Sequence, residues 1–127
     1  MADYLDKQSA RQEIKDRLRD QRLARFPFPP HGRIPNFVGA AEAAKRLFDV
    51  GPWREAKRIK VNPDSPQRYV RIEALKRGIE VFVPTPRLRA GFKRLDQFHI
   101  VYHEIPAAAA LSKGFKGAED VALVDMP

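Results

Sequence analysis

The chain has 127 residues, which suits one domain over residues 1–127 that is long enough to bury a core. It contains no cysteine, which excludes disulfides, thiol catalysis and cysteine-ligated zinc. No apolar run approaches the ~18–20 residues of a membrane span, and the first ten residues lack the apolar core of a signal peptide. We therefore expect a cytoplasmic protein with no membrane partner.

The net charge of +8 is concentrated in one part of the chain. Between Arg54 and Arg94 there are twelve Lys or Arg residues against four Asp or Glu, whereas the residues from His99 onward include two lysines and four acids. Such an excess attracts phosphates, polyglutamate tails or nucleic acid. A solvated basic surface explains the composition equally well, so the charge alone identifies no ligand.

The N-terminal part of the sequence predicts two helices joined by a proline-rich connector. Residues Tyr4–Arg25 contain neither Pro nor Gly, and Ile14 and Leu18 lie four residues apart, as on one face of a helix. Phe26–Phe37 is rich in proline and is expected to be stiff and extended. Gly39–Phe48 predicts a second helix that ends at the following Gly-Pro pair.

The middle of the chain predicts a strand, a helix and a strand in succession. Arg58–Val61 is a short strand, Pro66–Arg77 is a helix that Gly78 ends, and Ile79–Val83 is a buried strand. The inner face of this helix is formed by Val70, Ala74 and Leu75. A βαβ unit has parallel strands, so the predicted fold class is α/β, with one sheet covered by helices.

The remaining segments predict a strand over Phe98–Tyr102, a short helix over Pro106–Leu111 and a last strand over Val121–Val124. His99 and His103 have no cysteine and only one acid nearby, so we expect no metal site there. The sequence has no glycine-type phosphate loop of the GxxxxGK[ST] or GxGxxG pattern.

The first helix contains a candidate anion site. Four residues recur at helical spacing along one stripe: Lys7, Arg11, Ile14 and Leu18. The apolar half should face the protein, which would turn Lys7 and Arg11 along the packing face near the helix N-terminus, where the helix dipole opposes cations. A bound anion would offset that cost. Alternatively, both side chains reach water or pair with Asp3 and Glu13.

A second candidate site is the loop after the strand Ile79–Val83. This loop contains Pro84, Thr85, Pro86, Arg87, Leu88 and Arg89. Ligands of open α/β sheets bind beyond the carboxyl ends of the strands, and guanidinium groups suit carboxylates and phosphates. The neighbouring strand is followed by Asn62, Asp64 and Ser65, so we expect the two loops to lie side by side. A rigid surface loop without a ligand is the alternative.

Four segments of the chain together resemble one known family. They are K-Q-x-x-R (Lys7–Arg11), F-P-x-P-x-H-G-R-I-P-N-F (Phe26–Phe37), N-P-D-S-P-Q-x-x-V-R (Asn62–Arg71) and V-P-T-P-R-L-R-A-G-F (Val83–Phe92). This combination is similar to the 5-formyltetrahydrofolate cyclo-ligase family, in its archaeal and methenyltetrahydrofolate synthetase domain-containing branch, over nearly all of the chain.

The resemblance implies a fold and a reaction. The fold is a three-layer α/β/α arrangement with a mainly parallel sheet, shared with ribose-5-phosphate isomerase and CoA-transferase-like proteins. The reaction is the ATP-driven cyclisation of 5-formyltetrahydrofolate to 5,10-methenyltetrahydrofolate, with magnesium and a phosphorylated formyl intermediate. The implied partners are therefore a folate substrate and a nucleotide.

The resemblance also implies roles for single residues. Lys7 and Arg11 match the helix-borne basic pair that contacts ATP phosphates in the family, and Arg87 matches its Pro-Arg after the second strand. The residues expected on the substrate side are Asn62, Asp64, Pro84, Thr85 and Arg89. The family has an acidic stretch where this chain has Asn62–Pro66, which is a departure from the family pattern.

The glycine-rich phosphate loop of the family would lie beyond Pro127. The chain thus resembles the N-terminal part of the family, with a fold that is incomplete at the C-terminus, and we expect no turnover from these residues alone. We also expect the last strand, Val121–Val124, to expose an apolar edge that favours a homodimer.

Two alternatives to an enzyme remain at this point. One is a basic domain without catalytic activity that binds RNA or other phosphorylated ligands through Arg54–Arg94. Few aromatic residues would stack on bases in that case, because Phe82, Phe92 and Tyr69 are expected in the core. The other alternative is a structural remnant that binds no ligand well.

Overall fold

The computed structural model describes residues 6–96, 105–106 and 118–127. The helices are α1 (Lys7–Asp20), α2 (Ala40–Leu47), α3 (Gly51–Arg54) and α4 (Arg68–Lys76). The strands are β1 (Ala24–Arg25), β2 (Asn36–Phe37), β3 (Arg58–Lys60), β4 (Glu80–Pro84), β5 (Phe92–Leu95) and β6 (Glu119–Val121). Short 3-10 turns span Pro86–Leu88 and Leu123–Asp125. None of the helices in the described ranges is long and apolar enough to span a membrane.

A four-stranded sheet in the order β3-β4-β5-β6 is the centre of the described fold. The β3–β4 pair is parallel, which confirms the βαβ unit and the α/β fold class. The β4–β5 and β5–β6 pairs are antiparallel, so the sheet is mixed within the described residues, and the expected mainly parallel sheet is not confirmed. The reason is the short loop 85–91, because a parallel connection needs about a dozen residues or more.

The core lies between one face of this sheet and the helices α2 and α4. Its buried side chains come from Phe48, Ile59, Val61, Ala74, Leu75, Ile79, Val81, Val83, Leu95 and Ile105. Ala74 and Leu75 thus confirm the predicted inner face of α4. The Phe48 ring meets the Trp53 ring edge-on with centroids 5.9 Å apart, and the Arg77 guanidinium lies 4.8 Å from the centroid of the Phe48 ring.

Helix α1 is shorter and more exposed than the sequence predicts. Asp6 caps it by accepting a hydrogen bond from the Ser9 backbone N–H at 2.7 Å, and it ends at Asp20, before Arg22 with φ 56°. No residue of α1 in the described range 7–20 is buried, and the Ile14 side chain is 45% exposed. The prediction that the apolar half of the stripe faces the protein is therefore wrong for Ile14.

The proline-rich connector forms a closed loop rather than an extended segment. Its two ends pair as β1 and β2, with Arg25 opposite Asn36 in antiparallel register. The Asn36 side-chain amide donates to the Phe26 carbonyl at 3.0 Å. The His31 ring contacts the Asp16 carboxylate at 2.8 Å and connects the loop to α1. Because β1 and β2 pair with each other, the loop of residues 26–35 between them returns to its starting point.

Other element boundaries also differ from the predictions. Helix α3 begins where the Gly-Pro pair was expected only to end a helix, since Pro fits the first helical turn. Strand β6 spans Glu119–Val121, and Leu123–Asp125 is a 3-10 turn rather than a strand. The predicted strand Phe98–Tyr102 and the predicted helix beyond Pro106 lie outside the described residues.

Candidate functional site

The loop that follows β3 is organised by a buried arginine. Arg71 is only 1% exposed, and its Nη1 donates to the backbone carbonyls of Asn62 at 2.6 Å and Asp64 at 3.0 Å. Burial lowers the pKa of Arg71 to about 10, an effect that Asp64 opposes and the nearby Arg68 reinforces. The guanidinium thus brings a desolvated positive charge beneath the loop.

Asp64 and Gln67 join this loop to the start of α4. The Asp64 carboxylate accepts from the backbone N–H and the side-chain amide of Gln67, each at 3.0 Å. Gln67 Oε1 in turn accepts from the Asn62 N–H at 3.0 Å. Asp64 thus satisfies the Gln67 backbone N–H, which the start of α4 leaves without a partner in the helix, and Gln67 satisfies a backbone N–H of the loop. Asn62 and Asp64 therefore have structural roles in this loop. Their contacts with a substrate remain a prediction.

The loop after β4 is braced from within. The Thr85 hydroxyl donates to the Gly91 carbonyl at 2.8 Å and accepts from the Ala90 N–H at 3.1 Å. Arg87 and Leu88 have φ values of 54° and 56°, a left-handed conformation that costs a residue other than glycine about 1–3 kcal/mol. Such strain is concentrated at functional sites, which favours this loop as one. Arg87 and Arg89 are exposed there.

The two predicted loops leave the same edge of the sheet. Strands β3 and β4 are parallel neighbours, and Asn62 and Pro84 lie at their carboxyl ends. The sequence-based expectation that these ends are adjacent is confirmed. The predicted site residues Asn62, Asp64, Pro84, Thr85, Arg87 and Arg89 thus lie on the two loops that follow these adjacent strand ends.

Among the described residues, no hydrogen bond or ion pair joins Lys7 or Arg11 to these loops. Both are exposed in the first half of α1. The ion pairs recorded for the described part of α1 join Glu13 to Arg17, Asp16 to Arg19 and His31, and Asp20 to Arg19. None of these pairs uses Lys7 or Arg11, so the expected pairing with Glu13 is not found among the described residues, and Asp3, the other expected partner, lies outside them.

A cleft with aromatic walls lies between the connector loop and the start of α4, and the sequence did not predict it. Two adjoining cavities, of about 220 Å³ and about 400 Å³, share Phe26, Asn36 and Tyr69 as walls, and we call them the Phe26–Tyr69 cleft. The expectation that Tyr69 is a core residue is wrong, since it is 36% exposed, whereas Phe82 and Phe92 are buried as expected. Helical periodicity contains the signal: Arg71 lies one turn before the buried Leu75, and Tyr69 lies on the opposite face.

A third cavity, of about 420 Å³, has walls of mixed charge. It is lined by acidic Glu80, Glu119, Asp120 and Asp125 and by basic Arg58 and Arg94. Arg94 pairs with Glu119, and Arg58 lies 3.9 Å from Glu80. Within the ranges that the structure describes, no three His, Asp or Glu side chains gather in a way that could hold a metal ion.

This geometry defines the chain as an α/β domain in which two loops follow the carboxyl ends of two adjacent parallel strands. Residues 4–123 match the 5-formyltetrahydrofolate cyclo-ligase family, and the chain belongs to that family. This confirms the resemblance seen in the sequence motifs.

Curated relatives agree with this assignment. The chain is 40% identical over 129 residues to the methenyltetrahydrofolate synthase domain-containing protein of Mus musculus, covering 96% of this chain and 35% of the relative. The protein of the same name from Bos taurus is 38% identical over 96% of this chain and 34% of its own length. The chain therefore spans about a third of the length of these relatives. No solved structure matches the chain.

Proposed function

We propose that the protein to which this chain belongs converts 5-formyltetrahydrofolate to 5,10-methenyltetrahydrofolate at the expense of ATP. In this proposal residues 1–127 form a single cytoplasmic domain with the three-layer fold of the family. Lys7, Arg11 and Arg87 contact the nucleotide phosphates. The substrate side comprises Asn62, Asp64, Pro84, Thr85 and Arg89.

The observation that carries this proposal is the family match over residues 4–123, combined with the parallel β3–β4 pair. Ligands of α/β sheets bind beyond the carboxyl ends of parallel strands, and the loops 62–65 and 85–90 both follow such ends. The exposed Arg87 and Arg89 supply charge-assisted donors for phosphate or carboxylate oxygens at that edge. The left-handed backbone of Arg87 is consistent with a conformation retained for binding.

The proposed cofactors are ATP and magnesium. Lys7 and Arg11 fit phosphate binding, because they are exposed cations one helical turn apart that pair with no carboxylate among the described residues. The described residues offer no cluster that fits a magnesium ion, so we assign no protein ligand to the metal. In this proposal magnesium is held by the nucleotide phosphates, as is common for phosphoryl-transfer sites.

Binding of the two ligands is the first test of this proposal. Calorimetric titrations of the folded chain with ATP and with 5-formyltetrahydrofolate should each show a saturable site. The protein to which this chain belongs, mixed with both ligands and magnesium, should form the methenyl product only when ATP is present, and the absorbance of that product is the measurement. If the chain binds neither ligand, the proposal is wrong.

RNA binding through Arg54–Arg94 stays a prediction, since no observation in the structure tests it. Its signature would be an affinity that falls with salt, with a slope of about 0.7 per phosphate contact for a single strand. A homodimer through the sheet edge likewise stays a prediction.

A further inference from the structure

Strand β6 is attached to the sheet with little apolar burial. Glu119 and Asp120 are exposed, and Val121 is half-buried. Ala118, one residue before the strand, packs at the edge of the core, whereas residues 122–125 after it are exposed. Apolar contacts therefore account for only a small part of what holds β6 in place.

Two cross-strand ion pairs hold β6 on β5. Lys93 lies opposite Asp120 and forms a salt bridge with it, and Arg94 does the same with Glu119. Opposite charges on directly opposed residues stabilise an antiparallel pair, and like charges destabilise it. Because both carboxylate side chains are half exposed or more, dissolved salt screens the attraction. The attachment of β6 therefore depends on charge and on ionic strength.

The backbone at the end of β6 packs directly against Gly91, the last residue of the loop 85–91. A Cβ atom on Gly91 would collide with the Val121 carbonyl oxygen, and the Ala122 Cα would lie 3.1 Å away from it. Gly91 also has a φ of +72°, which glycine adopts without steric cost. The absence of a side chain at this position thus allows the two backbones to approach each other, and it links β6 to the loop.

Gly91 in turn closes the loop. Its carbonyl accepts hydrogen bonds from the Thr85 backbone N–H at 3.0 Å and from the Thr85 hydroxyl at 2.8 Å, and its N–H donates to the Leu88 carbonyl at 3.1 Å. Between these bonds Arg87 and Leu88 have left-handed backbone conformations. Strained residues of this kind persist only where the surrounding structure over-determines them. The hydrogen bonds of Gly91 supply that constraint, and β6 fixes the position of Gly91.

We propose that β6 positions the loop after β4, so that the geometry of Arg87 and Arg89 depends on the ion pairs between β5 and β6. The ion pairs hold β6 on β5, the β6 backbone holds Gly91, and Gly91 holds the left-handed turn that presents the two arginines. Asp120 and Glu119 are positioning residues, because they act through Gly91 rather than on a ligand. This coupling holds whether or not the loop binds a ligand. Its effect on ATP affinity rests on the proposed function, in which Arg87 contacts a phosphate.

Amide hydrogen exchange measured by NMR tests the coupling. In Asp120→Lys two like charges face each other across β5 and β6, so the Leu88 and Gly91 amides should exchange at least about fivefold faster than in the unsubstituted chain. The charge swap Lys93→Asp/Asp120→Lys restores an attractive pair and should return both rates to within about twofold. The Val81 amide, at the centre of the sheet, should remain protected in every variant, which shows that the core is intact.

Glu42→Lys is the matched control for the change of charge. It reverses the acidic member of the exposed Glu42–Arg46 pair, so its net charge equals that of Asp120→Lys, but the substitution lies on helix α2 rather than on the sheet. Exchange of the Leu88 and Gly91 amides should therefore stay as it is in the unsubstituted chain.

A salt titration provides a second measurement that needs no substitution and applies even if Asp120→Lys fails to fold. Raising the salt concentration from about 0.1 M to about 1 M shortens the Debye length from ~10 Å to ~3 Å. In the unsubstituted chain this screening should accelerate exchange of the Leu88 and Gly91 amides relative to that of Val81, because it weakens the ion pairs that hold β6.

ATP titration by calorimetry tests the consequence for the proposed function. Asp120→Lys should bind ATP more weakly than Glu42→Lys, which has the same net charge, and the charge swap should restore the affinity. Unchanged ATP affinity together with faster loop exchange would count against the phosphate contact of Arg87 and would support the coupling to β6.

The exchange data decide the proposal. Faster exchange of the Leu88 and Gly91 amides in Asp120→Lys, restored by the charge swap and absent in Glu42→Lys, would support it. Loop exchange that neither Asp120→Lys nor high salt alters would overturn it. Faster exchange that the charge swap does not restore would overturn it as well, because the ion pair would then not be the cause.

Discussion

The guanidinium of Arg71 donates a hydrogen bond of 2.6 Å to the backbone carbonyl of Asn62, nine residues earlier in the chain. This contact joins the core face of α4 to the loop that leaves β3, and thus connects the folding core with the proposed substrate edge. The arginine is charged and nearly fully buried, so its cost must be offset by the groups that it organises.

Replacing this residue should destabilise the protein. In Arg71→Met, the Asn62 and Asp64 carbonyls lose their donor, and a hydrogen bond to a charged group contributes ~1.5–3 kcal/mol. Relief of the buried charge offsets part of this, so we expect a loss of about 2 kcal/mol in the free energy of unfolding. Urea unfolding followed by circular dichroism measures it.

The control is Arg46→Met, since Arg46 is exposed and its pair with Glu42 is worth only about 0.3–0.5 kcal/mol. Equal stabilities of the two variants would contradict the structural role of Arg71.

The lowered pKa of Arg71 also determines how this residue affects stability as the pH changes. The buried charge lowers the stability of the folded protein at every pH below about 10, and this cost declines only as the pH rises through that value.

A second prediction concerns Gly91, where loop and sheet approach closely. A Cβ atom there would collide with the Val121 carbonyl oxygen and come within 3.1 Å of the Ala122 Cα. Gly91→Ala should therefore cost the ~1–2 kcal/mol of a left-handed alanine and in addition ~1–3 kcal/mol for overpacking. Gly32→Ala is the control, because Gly32 has a similar φ of +75° and no atom within 4 Å. Similar melting temperatures would exclude the close approach.

A third prediction tests the phosphate contacts of α1. The double variant Lys7→Ala/Arg11→Ala should weaken ATP binding by more than tenfold, that is by more than ~1.4 kcal/mol. Lys15→Ala, which removes one positive charge from the same helix, should weaken ATP binding by much less than half as much in free energy. Calorimetry on chains with unchanged circular dichroism provides the measurement, and an unaltered ATP affinity in the double variant would refute these contacts.

A fourth prediction follows from the cap of α1. Hydrogen bonds from the Ser9 backbone and side chain lower the pKa of Asp6. Because the folded pKa lies below the unfolded one, the cap stabilises the helix above the unfolded value and is lost as the pH falls through the folded value, from about pH 4 downward. NMR shifts of residues 7–10 should lose helical character in that range. Asp6→Ala should show the loss already at neutral pH, and Gln8→Ala should keep the acid transition.

The βαβ unit could be predicted from the sequence because its signals are local. Val70 and Ala74 are four residues apart, as on one face of a helix, and the core side chains of each strand segment are two residues apart: Ile59 and Val61, then Ile79, Val81 and Val83. Strand β5 gave no such signal, since Lys93 and Arg94 occupy its middle. Their partners are Asp120 and Glu119 of β6, distant in sequence and opposite in register, so the strand is stabilised by contacts that a local pattern does not contain.

The candidate site divides in the same way. The loops after β3 and β4 could be predicted as candidate sites, because the strand ends and the prolines and arginines near them are visible in the local sequence. The Phe26–Tyr69 cleft depends on the pairing of Arg25 with Asn36 and on the approach of the connector loop to α4. Neither contact has a local sequence signature, so the sequence of the proline-rich stretch predicts only an extended connector.

The chain has a single tryptophan, Trp53, and its fluorescence reports on the packing of the helices against the sheet. Trp53 meets the Phe48 ring edge-on, and Arg77 covers the Phe48 ring. The surroundings of Trp53 therefore change when α2, α3 and α4 separate from the sheet. Neither the connector loop nor α1 takes part in this contact. Its fluorescence emission should therefore remain unchanged when a substitution disturbs only the Phe26–Tyr69 cleft and shift to longer wavelength when the helices detach.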